Sequence, residues 1–241
     1  MTVLAVGNTE IIYTIRRSEN ARKKRIVVTP DSVEVVAPLG VSEKSVEQFV
    51  RSKAKWIFNT SEHMTDRIVA KLVPERYVSG AKIPYRGRLM KLRVKEDGDG
   101  GLSIAYRGGF YVGVPKGLDA REREELIKRG LRGWFKEHLQ EDVGGFVRRI
   151  SKKLELSPRG VRIQELSKLW ASCGRNGIIS LDWRLIFVPK TVLEYVVAHE
   201  MCHLQHRTHT PEFWRLLASV MPDFEERKGW LDSFYAESVE M

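Results

Sequence analysis

The chain has 241 residues, 42% of them hydrophobic and 30% charged, which suits a soluble globular protein large enough for a full core. No apolar run approaches bilayer length and no apolar leader opens the chain, so no membrane partner and a cytoplasmic setting are expected. Lysine and arginine outnumber aspartate and glutamate 41 to 31, and the first 160 residues carry the excess. Residues 1–80 hold 13 basic and 9 acidic side chains, residues 81–160 hold 19 and 11, and the remainder 9 and 11. The basic N-terminal two-thirds leaves nucleic acid or a nucleotide open as a partner.

The first stretch reads as strands: GNTEIIYTIRRS alternates, and RIVVTPDSVEVVAPLG is two β-rich runs split by a Pro-Asp-Ser turn. Ser42 is placed to cap a helix carrying Val46, Phe49, Val50 and Ile57 on one side. After Pro74 strands return in YVSGAKIPYRGRLMKLRVKE and LSIAYRGGFYVGVP, with EDGDGG between them as a hairpin turn. That turn contains fragments of a calcium loop, but the spacing fails and no glutamate closes it. From Asp119 a long helical pattern runs to Ser157-Pro158, with Gly144-Gly145 a candidate bend or break. A strand, GVRIQEL, follows, then a hairpin about Gly174 to Gly177. The predicted organisation is α+β: a β-rich basic region over 1–116, then a helix-rich region over 117–241 holding the chemistry.

Four of the six histidines fall in VVAHEMCHLQHRTHTPEFW, and His199, Glu200 and His203 form H-E-x-x-H. Residues four apart on a helix share a face about 6 Å apart along its axis, so both imidazoles can reach one metal. Glu200 projects about 100° round, where it can address water at that metal. Thr191 and Glu194 match a capping box and Pro189 lies just outside, so the helix is predicted to start near Val192, with Leu193, Val196, Val197 and Met201 as its apolar stripe.

A catalytic zinc site has three protein ligands and an open position. His209 is the first candidate for the third, at the offset found in H-E-x-x-H-x-x-G-x-x-H, although His206 occupies the glycine position. Thr210-Pro211 reads as the cap and first residue of the next helix, which puts His209 in a connection. His206 and the glutamates Glu212, Glu225 and Glu226 remain alternatives. Of the cysteines, Cys202 is expected to pack and Cys173 to be a small buried residue rather than a reactive thiol; two cysteines make no disulfide framework.

The succession from LWASC through DWRL to HEMCHLQHRTH and FW resembles the YgjP-like metallopeptidases, relatives of the SprT-like zincins. The similarity extends back through residues 38–56 and 78–94, with Ala171 standing where glycine is usual. It implies a zincin-like core in which His199, His203 and His209 hold zinc and Glu200 is the catalytic base. The expected activity is peptide or protein hydrolysis by zinc-activated water. Arg175, Arg184 or Tyr195 is a candidate oxyanion donor, and Ile178 to Asp182 a candidate strand for pairing with substrate. Trp170 and Trp183 are expected to be buried. Alternatives are a metal-dependent phosphohydrolase acting on nucleoside triphosphates and a nucleic-acid-associated SprT-like protease. A structural zinc protein is disfavoured, because it leaves Glu200 without use.

Overall fold

The computed structural model describes residues 2–6, 9–19, 21–28, 33–60, 74, 76–97, 100–166, 170–235 and 237–240. It is a mixed α+β chain forming two compact units, one of Met1–Ile68 with Gly229–Met241 and one of Val69–Lys228.

The first unit is a five-stranded sheet in the order β1-β2-β4-β3-β12. Its strands are β1 (Thr2–Val6), β2 (Thr9–Arg17), β3 (Arg25–Val28), β4 (Val33–Ala37) and β12 (Glu237–Glu240). Alternation sends Ile11, Tyr13, Ile26, Val35 and Ala37 to the buried face. There they meet helix α1 (Glu43–Ser52), which is capped as predicted by the Ser42 hydroxyl accepting from the Ser45 N–H at 3.3 Å. Residues 54–60 are also helical. The Pro30-Asp31-Ser32 turn lies outside the described residues.

The second unit contains a four-stranded sheet, order β5-β6-β8-β7, made of β5 (Lys82–Tyr85), β6 (Arg88–Glu96), β7 (Ser103–Tyr106) and β8 (Phe110–Val114). The stretch between β6 and β7 is not a hairpin turn. β6 pairs with β5 and, in parallel, with β8, so the chain crosses over to an edge strand. Because these strands pack with α2 (Ala120–Leu154), they share a unit with the helical half, and the compact units are not divided at 116/117.

α2 is 35 residues long and opens with a full capping box between Asp119 and Glu122. It passes through Gly144-Gly145 unbroken and ends before Glu155, which takes a left-handed conformation with φ 55°. Ile127, Leu131, Phe135, Leu139 and Val143 line its buried face at four-residue spacing. Tyr85, Tyr106, Phe110, Trp134 and Phe135 form one aromatic cluster between helix and sheet, with centroids 4.8–6.3 Å apart.

A three-stranded sheet, order β10-β11-β9, completes the unit. β11 (Ile178–Asp182) lies between β10 (Ala171–Cys173), antiparallel, and β9 (Gly160–Gln164), parallel. The strand expected to continue through Asp-Trp-Arg-Leu stops at Asp182 and winds into a 3-10 turn, Trp183–Phe187. The Asp182 carboxylate drives this change, accepting from the main-chain N–H of Arg184 (2.9 Å) and of Leu166 (2.7 Å) and from the Arg184 guanidinium.

The β5–β6 hairpin turns through Arg86 and Gly87, both at positive φ (49° and 79°), and their N–H groups donate to Ile186 and Phe187 carbonyls at 2.8 Å. A Cβ at Gly87 would lie 2.7 Å from the Pro189 ring, so glycine lets the hairpin seat against the start of the next helix. Asp142 of α2 holds both parts, pairing with Arg86 (2.7 Å) and Lys190 (2.6 Å). Among the described residues no helix is long and apolar enough to cross a membrane.

Candidate metal centre

The helix carrying H-E-x-x-H is α3 (Lys190–Cys202), and it begins two residues before the predicted start. Pro189 is its N-cap and no side-chain cap forms. The expected capping box is absent because Glu194 is engaged elsewhere, by Arg149 of α2 and by Arg227 at 2.8 Å. Every residue from Val192 to Cys202 except Glu194 is buried, so the apolar stripe is part of a helix enclosed on nearly all sides. Cys202 is buried, as expected, whereas Cys173 is half-buried at the end of β10; both are free thiols.

The chain leaves α3 at His203 without glycine. Leu204, Gln205 and His206 N–H groups bond back to Met201 and Cys202 carbonyls at 2.9–3.1 Å, and no residue from His203 to His209 takes a positive φ. The connection then delivers His209 to the face of α3 just before α4 (Pro211–Val220), whose N-cap is Thr210 and first residue Pro211, as predicted.

Three imidazoles converge here. His199 Nε2 lies 3.2 Å from His203 Nε2 and 2.9 Å from His209 Nε2. Ligand atoms of the three lie within 4.8 Å of one another, and among the described residues this is the group able to hold a metal ion. His206 does not join it through its ring; its main-chain carbonyl accepts from His203 Nδ1–H at 2.9 Å. Glu212 does not join either, being paired with Arg215 at 2.5 Å.

The donor set fits a cation such as zinc. In the neutral ring the bond from His203 Nδ1 leaves its lone pair on Nε2, toward the centre. The Tyr195 hydroxyl lies 3.4 Å from His199 Nδ1 and orients that ring in the same sense. Tetrahedral zinc with bonds of about 2.0–2.1 Å sets its ligand nitrogens about 3.3 Å apart, within a few tenths of the two spacings from His199. Burial holds His199 well below its ordinary pKa, with His209, His203 and Lys228 adding positive charge against protonation. Burial also lowers His203, partly offset by the His206 carbonyl, and lowers His209 to about 4, with His203 and Lys228 contributing. Near neutral pH all three rings are therefore uncharged, the form that donates to a metal.

Phe213 of α4 touches the whole triad, its ring centroid 4.9 Å from His199, 4.6 Å from His203 and 4.8 Å from His209. Trp214 stacks on His209 at 5.4 Å. Glu200 is 7% exposed and lies near β10: burial pushes the Cys173 thiol up, Arg207 pulls it down, and the Glu200 charge pushes it up again.

Two expected oxyanion donors are otherwise committed. Arg184 is buried and bound to Asp182 at 2.6 and 2.7 Å and to the Leu166 carbonyl at 2.8 Å. Tyr195 is 1% exposed and faces His199. Arg175 sits exposed in the β10–β11 turn. Nor can Ile178–Asp182 take a substrate strand, because β11 is paired on both sides; the edge strand packed beside α3 is β10. Trp170 and Trp183 are buried, as expected. Sequence reasoning missed Arg207, which reaches β10 from the connection after His203 and had no motif to mark it.

Residues 22–234 match the YgjP-like metallopeptidase domain, and the chain belongs to that family. The membership agrees with the resemblance carried by LWASC, DWRL and HEMCHLQHRTH, and it makes peptide or protein the supported substrate class; it lends no support to a nucleic-acid partner. Comparison with curated proteins finds no match. Among solved structures, the metallopeptidase zymogen of Pyrococcus abyssi abylysin is 25% identical over 38% of this chain and 92% of that chain, with a TM-score of 0.35. At that score the superposition bears no weight.

Proposed function

We propose that the protein is a zinc-dependent metallopeptidase in which His199, His203 and His209 hold the ion and Glu200 is the general base. The observation that carries this reading is the convergence of three neutral Nε2 atoms, two at 2.9 and 3.2 Å from the third. Zinc, when bound, supplies a Lewis acid that acidifies water and polarises a carbonyl.

The chain's residues supply the rest. Glu200 takes the proton of the attacking water on its carboxylate and returns it to the leaving nitrogen, so its protonation state is restored each turnover. Its near-complete burial keeps that carboxylate away from bulk solvent.

β10 aligns the substrate. Gly174 N–H donates to Ile178 and Asp182 N–H to Trp170, so residues 170 and 174 bond inward to β11. By the antiparallel alternation Ala171 and Cys173 present their main-chain groups to the open edge. Arg207 covers the Cys173 carbonyl, which leaves Ala171 as the rung where a peptide pairs.

Metal analysis of wild type and Glu200→Gln, with peptide and nucleoside triphosphate hydrolysis assayed on the same samples, tests the assignment. The expected result is one zinc per chain in both and peptide turnover in the wild type alone, at least about 100-fold above the variant. Turnover of nucleotide but not peptide, or full activity in Glu200→Gln, overturns it.

A further inference from the structure

The first unit carries a feature that peptide hydrolysis does not use. On the outer face of its sheet, strand register sets Arg16, Val36 and Arg25 in one row across β2, β4 and β3. The connection from β2 to β3 adds Ser18, Arg22 and Lys23, and together these side chains border a cavity of about 460 Å³. Val36, 5% exposed, is its apolar floor.

Among the described residues four cations and no acid line this space; the row itself ends on Glu240 of β12, beside Arg25 in register. Arg16 is answered by Glu34 at 3.1 Å. Among the described residues no carboxylate pairs with Arg22, Lys23 or Arg25. The Arg25 Nε–H is moreover fully buried with no hydrogen-bond partner. A buried charge-bearing N–H without an acceptor is unfavourable, and here it stands in a cavity whose described lining holds no carboxylate.

We propose that this cavity binds the phosphate group of a small phosphorylated molecule. A phosphate monoester brings nearly two negative charges and three terminal oxygens, matching a cationic lining that a single carboxylate would not balance. Two guanidiniums present planar forks of donors to those oxygens, the Arg25 Nε–H gains its acceptor, and Lys23 adds a point charge. The volume falls in the range of small-molecule sites and exceeds what the anion needs, so the organic part of the ester packs over Val36.

The test is calorimetric titration of the full-length chain with inorganic phosphate and, separately, with glycerol phosphate, against sodium chloride of matched ionic strength. The expected result is one equivalent of glycerol phosphate per chain with Kd on the order of 1 mM or tighter, and weaker binding of inorganic phosphate. Arg25→Met, which keeps the aliphatic stem, abolishes binding. The exposed pair Arg22→Gln/Lys23→Gln weakens it at least about 10-fold by removing charge-assisted contacts, and carries the test should Arg25→Met fail to fold. Glu200→Gln binds like wild type, which separates this site from the peptidase centre. Neither probe binding above the chloride control, binding unchanged in the folded variants, or inorganic phosphate binding as tightly as the ester each overturns the proposal.

Discussion

Arg207 donates to the main-chain oxygen of Cys173 at 3.4 Å and, beside it, to that of Gly174 at 3.1 Å. The turn between the second and third histidines is thereby tied to the edge strand on which the substrate is proposed to lie. One side chain thus links the connection ahead of His209 to the end of β10.

Arg207→Ala is therefore expected to separate binding of metal from handling of peptide. Its zinc content stays at wild-type level, because no triad nitrogen depends on Arg207, while kcat/KM for peptides falls about 10- to 100-fold as the rung drifts. Elemental analysis beside steady-state kinetics reads both. Unchanged kinetics would show that the tether is dispensable.

The two candidate third ligands differ in which atoms they offer. His209→Ala removes a converging nitrogen and should lose zinc under dialysis, whereas His206→Ala keeps the carbonyl that orients His203 and should retain it. Tyr195→Phe, which removes the hydroxyl beside His199 Nδ1, falls between, with zinc affinity about 10-fold weaker. Competition with a chromophoric chelator ranks all three, and His206→Ala weaker than His209→Ala would exchange their roles.

Asp182 accepts four hydrogen bonds where β11 becomes the 3-10 turn. Asp182→Ala strands a guanidinium in a residue 5% exposed and frees two main-chain N–H groups. A loss of about 3–5 kcal/mol is expected in denaturant unfolding. A loss below about 1 kcal/mol would mean that the bonds are replaced locally.

The histidines give the metal-free protein a defined pH response. Burial depresses all three pKa values, His209 to about 4, so the unfolded chain takes up protons that the folded chain refuses. Stability is then complete above the ordinary histidine pKa of about 6.5 and is lost as pH falls toward 4. Thermal melts of chelator-treated protein at pH 7.5, 6 and 5 should show a falling Tm. His199→Gln/His209→Gln should flatten the trend, and an equal slope would assign it elsewhere.

The legible parts were those with local causes. H-E-x-x-H, the Thr210-Pro211 start and the Ser42 cap lie within single elements, where spacing and capping chemistry decide the outcome. Pairing was not legible. Ile178–Asp182 looks like an exposed strand until β9, from before the hairpin, takes its second edge. Arg184 and Tyr195 read as free polar groups because their partners, Asp182 and an imidazole ring, become partners only through folding. The capping box at Thr191 does not form for a similar reason, since Arg149 of α2 and the distant Arg227 claim Glu194.

The pairing of β12 with β3 gives the first sheet a particular history. Glu237–Glu240 and Arg25–Val28 are separated by the whole second unit, yet they hydrogen-bond side by side. During synthesis the first four strands leave the ribosome before their fifth partner, which is made only after His199, His203 and His209. The loop that must close is long, so this contact forms late and slowly. The unit holding the three histidines can thus acquire its structure while the five-stranded sheet still lacks its edge strand.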